Sequence, residues 1–537
     1  MRQLILLIAL AAGAAAQIQE ISGERIRAHV KFLASDLLEG RGVGTRGGDL
    51  ATAYLASQLA LVGAKPAGDN GTYFQKVPLI GVEPMPDARF SAERNGKTAS
   101  FRWLSDFVGS DYRQRPVDEF DAEAVFVGHG IVAPEFQWDD FKGADVRGKV
   151  IVLFTNEPAS SDPKFFGGRA LTYYGRWTYK FEQAARAGAL AALIIHTTPT
   201  AGYGWQVVRN SWGGEEPYVK LQPGQQDLAF AGWVTEEAGE RLLSLAGKTV
   251  AELLKASESR EFKPIPLGVR IRGRIQSKIR DISTANVTAI IPGSDPALAS
   301  EAVIFSAHWD HLGVGAPVDG DSIYNGAVDN ATGCAMLIEI ARLWASLEQK
   351  PRRSALFLLV TAEEGGLRGS EFYARHPLFP PGKTAVALNV DAILPFGRTT
   401  DVVVNGAERT TFWPQVQEAA ARMNLVIRPD PRPEQGSFYR SDHFPFAQAG
   451  IPSFTVDEGD QYADKPEGYG EKLFEDYNAR HYHQPSDEYR DDWDMSGMEQ
   501  VARLVFLLGQ SAANLDKLPT WNPGDEFLAA RVKSGVK

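Results

Sequence analysis

Five short stretches of this 537-residue chain hold the residue types that could do chemistry. His308 and Asp310 lie in His308-Trp309-Asp310-His311, directly after the apolar run 303–307. Asp329 falls in Asn325-Gly326-Ala327-Val328-Asp329-Asn330. Glu363 and Glu364 follow the apolar run 356–361, and Asp391 follows 386–390. His483 sits in His481-Tyr482-His483-Gln484-Pro485-Ser486-Asp487. Two imidazoles with three or more carboxylates suit zinc. A carboxylate that bridges two ions leaves each an open position, and two ions roughly 3.5–4 Å apart can activate one water and polarise one carbonyl. Each stretch alone is ordinary, since a Glu-Glu pair is most often a solvated surface. Here the pair ends a buried-looking run, and Gly365-Gly366 follow it rather than more charge.

These groups act together only if the fold gathers them. From residue 283 onward, apolar runs alternate with helical patterns. Strands are predicted at 302–307, 355–361, 384–390 and 453–456, and helices at 333–347, 412–422 and 495–514. That alternation predicts an α/β domain with a mainly parallel central sheet. In such sheets, sites lie beyond the carboxyl ends of the strands, which is where the chemical groups fall. Upstream, residues 24–64 read as two helices interrupted at Gly40-Arg41-Gly42-Val43-Gly44. Short strands follow over 74–107. Residues 120–275 read as a separate insert with buried strands at 124–127, 150–154 and 191–195 and a helix over 176–187. The density of Trp and Gly between Tyr203 and Gly214 predicts a surface loop there.

Composition narrows the classes. Lys and Arg number 56 against 67 Asp and Glu, a formal charge of −11, which argues against a nucleic-acid binder. Met1-Arg2-Gln3, an apolar run over 4–10 and Ala14-Ala15-Ala16 form an export leader with cleavage expected after Ala16. The run is shorter than the ~20 residues a membrane span needs, so no stable anchor is expected once the leader is cut. Cys334 is the sole cysteine, set in an apolar stretch, and reads as packing. Export without disulfides fits a secreted or periplasmic protein.

The stretches resemble, in order, the motif set of the M28 metallopeptidases. Ser306-Ala307-His308-Trp309-Asp310-His311 is similar to the family's first metal motif. Residues Asn325 to Gly333 match the bridging-aspartate motif, Thr361 to Ser370 the catalytic-glutamate motif, Asn389-Val390-Asp391 the next ligand and Tyr482 to Asp487 the last. The resemblance implies two Zn2+ per chain. His308 and Asp391 would hold one ion, Glu364 and His483 the other, and Asp329 would bridge. It further implies Glu363 as general base and Tyr482 as a donor to the oxyanion. Asp310 would fix the ring of His308 from behind, and the Asp329–Asn330 peptide would be cis. The insert resembles a protease-associated (PA) domain through Val125 to Ile131, Asp145 to Leu153 and Ala184 to Ala189, and it would act as a lid.

The implied fold is a three-layer α/β/α zinc-peptidase domain with an inserted β-rich PA domain. The implied boundaries are a leader at 1–16, the first part of the peptidase at 17–115, the insert at 116–275, the main peptidase part at 276–515 and a C-terminal tail at 516–537. The implied activity is an aminopeptidase acting on peptides with a free N-terminus. Asp457 and Glu458 are candidates for binding the substrate amine. A carboxypeptidase or dipeptidase is the alternative, with Arg440 as the candidate for a substrate carboxylate. A one-metal glutaminyl cyclase-like transferase, or a receptor-like binding protein that has lost its ligands, would be expected to lack part of this set, and here all five ligand types are present.

Overall fold

The computed structural model describes residues 20–221 and 227–536. The expected leader and its cleavage point after Ala16 lie outside the described residues. Eleven strands carry the argument: β1 (Phe74–Pro84), β2 (Phe107–Ser110), β3 (Val117–Phe126), β4 (Val150–Phe154), β5 (Ala191–Ile195), β6 (Phe230–Val234), β7 (Ile265–Ile291), β8 (Ala302–His308), β9 (Ser354–Val360), β10 (Thr384–Asn389) and β11 (Ser453–Thr455). Eight helices matter here: α1 (Gly23–Leu33), α2 (Arg46–Leu61), α3 (Trp177–Arg186), α4 (Trp205–Trp212), α5 (Thr332–Ser346), α6 (Arg368–Arg375), α7 (His443–Gln448) and α8 (Ser496–Asn514).

The first sheet runs β11-β10-β8-β9-β7-β1. Its centre is parallel: β8 pairs with β9 and β10 in parallel, and β10 with β11. The strands β7 and β1 extend it antiparallel. Every residue of β8, β9 and β10 is buried. Strands covered on both faces read as continuous apolar runs rather than as alternation. Successive side chains serve opposite cores: Val303, Phe305 and Ala307 pack with α1, α2, α5 and α8, while Ile304 packs with Tyr373 of α6 and Phe446 of α7. The result is the expected three-layer α/β/α arrangement. Gly509 of α8 lets helix and sheet approach closely, since a Cβ there would stand 2.2 Å from the Phe305 ring.

The second sheet runs β7-β3-β4-β5-β6-β2. It has its own parallel centre, β3 to β6, and its own apolar core. The 27-residue β7 joins the two sheets, pairing with β3 through its first half and with β1 and β9 through its second. Three features differ from the sequence expectation. Strands at Arg89–Arg94, Lys97–Phe101 and Phe107–Ser110 pair into the second sheet, ahead of the boundary at 116. Alternation marks a strand but not the sheet it joins. The segment between Tyr203 and Gly214 contains the helix α4 rather than a loop. Its Val207, Val208 and Trp212 pack into the insert's core, with Trp212 against Trp177 and Phe181 of α3. The segment expected as a tail is packed as well: Trp521 is fully buried, and buried Arg531 donates to the carbonyls of Pro519 and Thr384.

Candidate metal centre

The parallel strands end on one crevice. β8 delivers His308 as its last residue. After β9 the chain turns through Ala362 at φ 54°, which presents Glu363 and Glu364. After β10 it presents Asp391 and turns at Ala392, φ 53°, and His483 itself sits at φ 56°. Left-handed backbone costs an L-residue roughly 1–2 kcal/mol, and such positions cluster where side chains must be aimed. Asp329 lies in the turn entering α5, and its peptide to Asn330 is cis. Gly326, φ 57°, must lack a side chain there: a Cβ would stand 2.5 Å from the His311 ring.

The five side chains form two adjoining groups that share Asp329. His308 Nε2 lies 3.0 Å from Asp391 Oδ1 and 3.2 Å from Asp329 Oδ1. His483 Nε2 lies 3.0 Å from Glu364 Oε2 and 3.4 Å from Asp329 Oδ2. The Nδ1 of His308 faces the Asp310 carbonyl at 3.1 Å, an atom that can only accept, so that nitrogen carries the hydrogen. The Nδ1 of His483 faces Ser211 Oγ at 2.7 Å, and that hydroxyl donates to Val207 O at 2.8 Å, so Nδ1 is again the donor. Each Nε2 is therefore the nitrogen turned toward the carboxylate oxygens, where either its own proton or a metal ion can lie between them. The separations of 3.0–3.4 Å approach the edge of a tetrahedron of ligands about 2.0–2.1 Å from zinc. The donor set fits two divalent ions.

Protonation follows the same logic. Burial lowers the His308 imidazole, but Asp391 and Glu363 outweigh it and hold it well above its usual range. Burial likewise opposes His483, and Glu364 and Asp329 raise it to about 10. Against burial, His483 and His311 hold Glu364 down at about 2. Glu363 goes the other way: burial pushes it well up, reinforced by Glu364 and Asp391. Glu364 is gripped by two imidazoles, whereas Glu363 lines both cavities beside the centre.

Several supporting residues surround the five ligands. His311 Nδ1 lies 2.5 Å from Glu364 Oε1. Asp310 meets the His308 ring through its backbone oxygen rather than its carboxylate. Its Oδ1 instead accepts from the Glu363 amide at 3.2 Å. A relay of side chains aims Asp391. Ser306 Oγ donates to Asn389 Oδ1 at 2.7 Å, Asn389 Nδ2 to Ser441 Oγ at 2.7 Å, and Ser441 Oγ to Asp391 Oδ2 at 2.5 Å. Buried Arg41 donates to the carbonyls of Leu33, Trp309, Asn325 and Gly326. Asp487 accepts from the amides of Val328 and Asp329. Ser211 comes from α4 of the insert, so the second sheet's unit holds a residue of the centre. Second-sphere partners of this kind are worth roughly 10- to 100-fold in metal affinity. Ser211→Ala is therefore expected to weaken divalent-ion binding by that factor at one site of two, read by calorimetric titration of the metal-free protein. Unchanged binding at both sites would remove Ser211 from this role.

Two cavities flank the centre. One, of ≈ 320 Å³, is lined by Arg176, Arg440, Tyr482, His483 and both glutamates. The other, of ≈ 260 Å³, is lined by Asp391, Asp430, Asp457, Glu458, Asp460 and Tyr482. Burial raises Asp457 well above its usual range and Glu458 to about 7. The Tyr482 hydroxyl accepts from Arg440 at 3.4 Å. Burial pushes that phenol up, so it stays protonated as a donor. The three substrate-binding candidates all reach the crevice: Asp457 and Glu458 line the second cavity, and Arg440 lines both.

Residues 286–508 match the model of peptidase family M28. Carboxypeptidase Q of Xenopus laevis is 26% identical over 309 residues, 57% of this chain and 53% of that protein. Aminopeptidase NAALADL1 of Mus musculus is 29% identical over 171 residues, 29% of this chain and 21% of that protein. The chain thus spans about half or less of the curated relatives' lengths. The solved aminopeptidase from Aneurinibacillus sp. strain AM-1 superposes with a TM-score of 0.54 at 19% identity, covering 95% of this chain and 98% of that one. At that identity, the likeness is one of fold.

Proposed function

We propose that the protein, whose residues 286–508 match the model of peptidase family M28, is a two-zinc aminopeptidase that works outside the cytoplasm. The observation that carries this reading is the pair of groups sharing Asp329, with Glu363 close to His308 and Glu364 but in an ion pair with neither His308 nor His483. His308 and Asp391 would hold one ion, His483 and Glu364 the other, and Asp329 one oxygen to each. Bound there, zinc supplies Lewis acidity that brings the pKa of water toward about 7 and polarises the scissile carbonyl.

The protein's own residues do the rest. Glu363 accepts the proton of the attacking water and returns it to the leaving amine. Tyr482, steadied by Arg440, donates to the oxygen on which charge develops. Asp457 and Glu458 face the substrate's ammonium from the acidic cavity. The insert, read as PA-like, walls the other cavity through α3 and α4 and limits what reaches it. Among the described residues, no helix is long and apolar enough to cross a membrane. The export assignment rests on the leader motif at 1–16.

A substrate panel tests this. Leu-p-nitroanilide and Leu-Gly-NH2 are expected to be cleaved. N-acetylation is expected to lower kcat/KM by at least roughly 10- to 100-fold, the value of one charge-assisted contact. Chelation is expected to stop turnover, and zinc to restore it. Equal cleavage of acetylated and free substrates would overturn the aminopeptidase reading, and full turnover in verified metal-free protein would overturn the zinc reading.

A further inference from the structure

Two residues of the insert hold His483, one by its backbone and one by its ring. Asn210 Nδ2 donates to the His483 carbonyl at 2.9 Å, and Ser211 Oγ meets Nδ1 at 2.7 Å. Among the described residues, His483 has no other hydrogen-bond or ion-pair partner besides Asp329 and Glu364. Its backbone is left-handed, φ 56°, a pose that an L-residue keeps only where its surroundings impose it. Two further contacts fasten the same stretch to the insert. Gln206 Nε2 donates to Ala479 O at 3.4 Å, and Asn478 Nδ2 donates to Gly202 O at 3.3 Å. Gln206 and Asn210 stand four residues apart on α4, so they share the helix face that meets residues 479–483. The Tyr482 ring packs against the insert's apolar core.

The His308 group is built differently. His308 is the last residue of β8, its Nδ1 meets the Asp310 carbonyl, and Asp391 is held by Ser441. All of these belong to the peptidase part, as does His311, which holds Glu364. The His308 group therefore needs only the peptidase fold, whereas the His483 group needs the insert as well. We propose that Asn210, together with Ser211, positions His483, so that docking of the insert and filling of the His483 group by a divalent ion form one linked equilibrium. With the insert released, the His308 group keeps its ion, while His483 and Tyr482 lose their support. The insert thus completes the centre rather than only limiting what enters it. This rests on the two-ion reading above. Linkage is reciprocal: whatever factor docking adds to the ion's affinity, the ion adds to docking.

The test reads binding and exchange on the full chain, without substrate. Zinc is titrated calorimetrically into metal-free wild type and Asn210→Ala. One site of two is expected to weaken by roughly 10- to 100-fold, the range for a residue that orients a ligand, and the other to keep its affinity. A general loss of stability would not single out one site. Hydrogen exchange over 205–212 is then followed with and without zinc. In wild type and in Asp391→Ala, zinc is expected to slow it by up to that same factor. In Glu364→Gln, which lacks a ligand of the His483 group, zinc should leave it unchanged. Both sites unaffected in Asn210→Ala, or both weakened alike, would overturn the positioning role. Exchange indifferent to zinc in wild type, or slowed equally in Glu364→Gln, would overturn the linkage. Either failure leaves the aminopeptidase reading standing, whereas wild type that binds no zinc defeats the two-ion reading and the linkage with it. Should Asn210→Ala not fold, the exchange measurements decide.

Discussion

Replacing Glu363 with Gln is expected to lower kcat by roughly 10²- to 10⁴-fold while leaving two zinc ions bound per chain. The two glutamates are adjacent in sequence and separated by their contacts. Glu364 meets His483 Nε2 at 3.0 Å and His311 Nδ1 at 2.5 Å. Glu363 lies within 4.8 Å of His308 and Glu364 but pairs with neither His308 nor His483, and it lines both cavities, where a water and a leaving amine would be within reach. Gln keeps the size and the hydrogen-bonding outline but cannot take up a proton at neutral pH. Burial, with Glu364 and Asp391, makes the carboxylate at 363 hard to charge, so the amide relieves crowding and folding should not suffer. Turnover of Leu-p-nitroanilide and metal content decide the matter together. Near-native turnover would refute Glu363 as the base, and lost metal would make it a ligand. Glu364→Gln supplies the contrast, since it should lose metal first.

The sequence carried the order of the ligands and their place after strands, because a buried parallel strand is a continuous apolar run and a polar residue at its end stands out. The strands β8, β9 and β10 place His308, the glutamates and Asp391 on one crevice for that reason. What sequence spacing could not carry are contacts between distant segments. Ser211 reaches His483 across 272 positions, and nothing in Asn210-Ser211-Trp212 announces it. Arg41 appears in the sequence only as a break between helices. In the fold, its left-handed backbone, φ 50°, helps aim the guanidinium at the carbonyls of both ligand-bearing loops. The helix α4 was hidden by the glycines that bracket it, although its apolar residues bury normally. Asp310 shows a finer limit: the residue is well placed, but whether its carbonyl or its carboxylate meets the imidazole depends on a turn that composition does not encode.

Asp329→Ala is expected to abolish binding at both sites, whereas Asp391→Ala should spare the His483 site. Asp329 offers Oδ1 to His308 at 3.2 Å and Oδ2 to His483 at 3.4 Å, and of these two imidazoles Asp391 pairs with His308. Charge reinforces the geometry. Asp329 shares one candidate metal group with Asp391 and another with Glu364, so removing it takes a negative charge from beside both ions. Removing the shared carboxylate takes a ligand from each ion and leaves the two groups unconnected. Thermal unfolding with added zinc separates the cases without reference to turnover. At a hundredfold excess over Kd, each occupied site contributes about 2.7 kcal/mol to stability. Wild type should therefore gain from two sites, Asp391→Ala from one, and Asp329→Ala from neither. The activity of Asp329→Ala should fall by more than about 10⁴-fold, because both the water's activation and the carbonyl's polarisation go with the ions. A single site surviving intact in Asp329→Ala would mean that the two groups do not depend on a shared ligand, and the two-ion reading would have to give way to two independent sites.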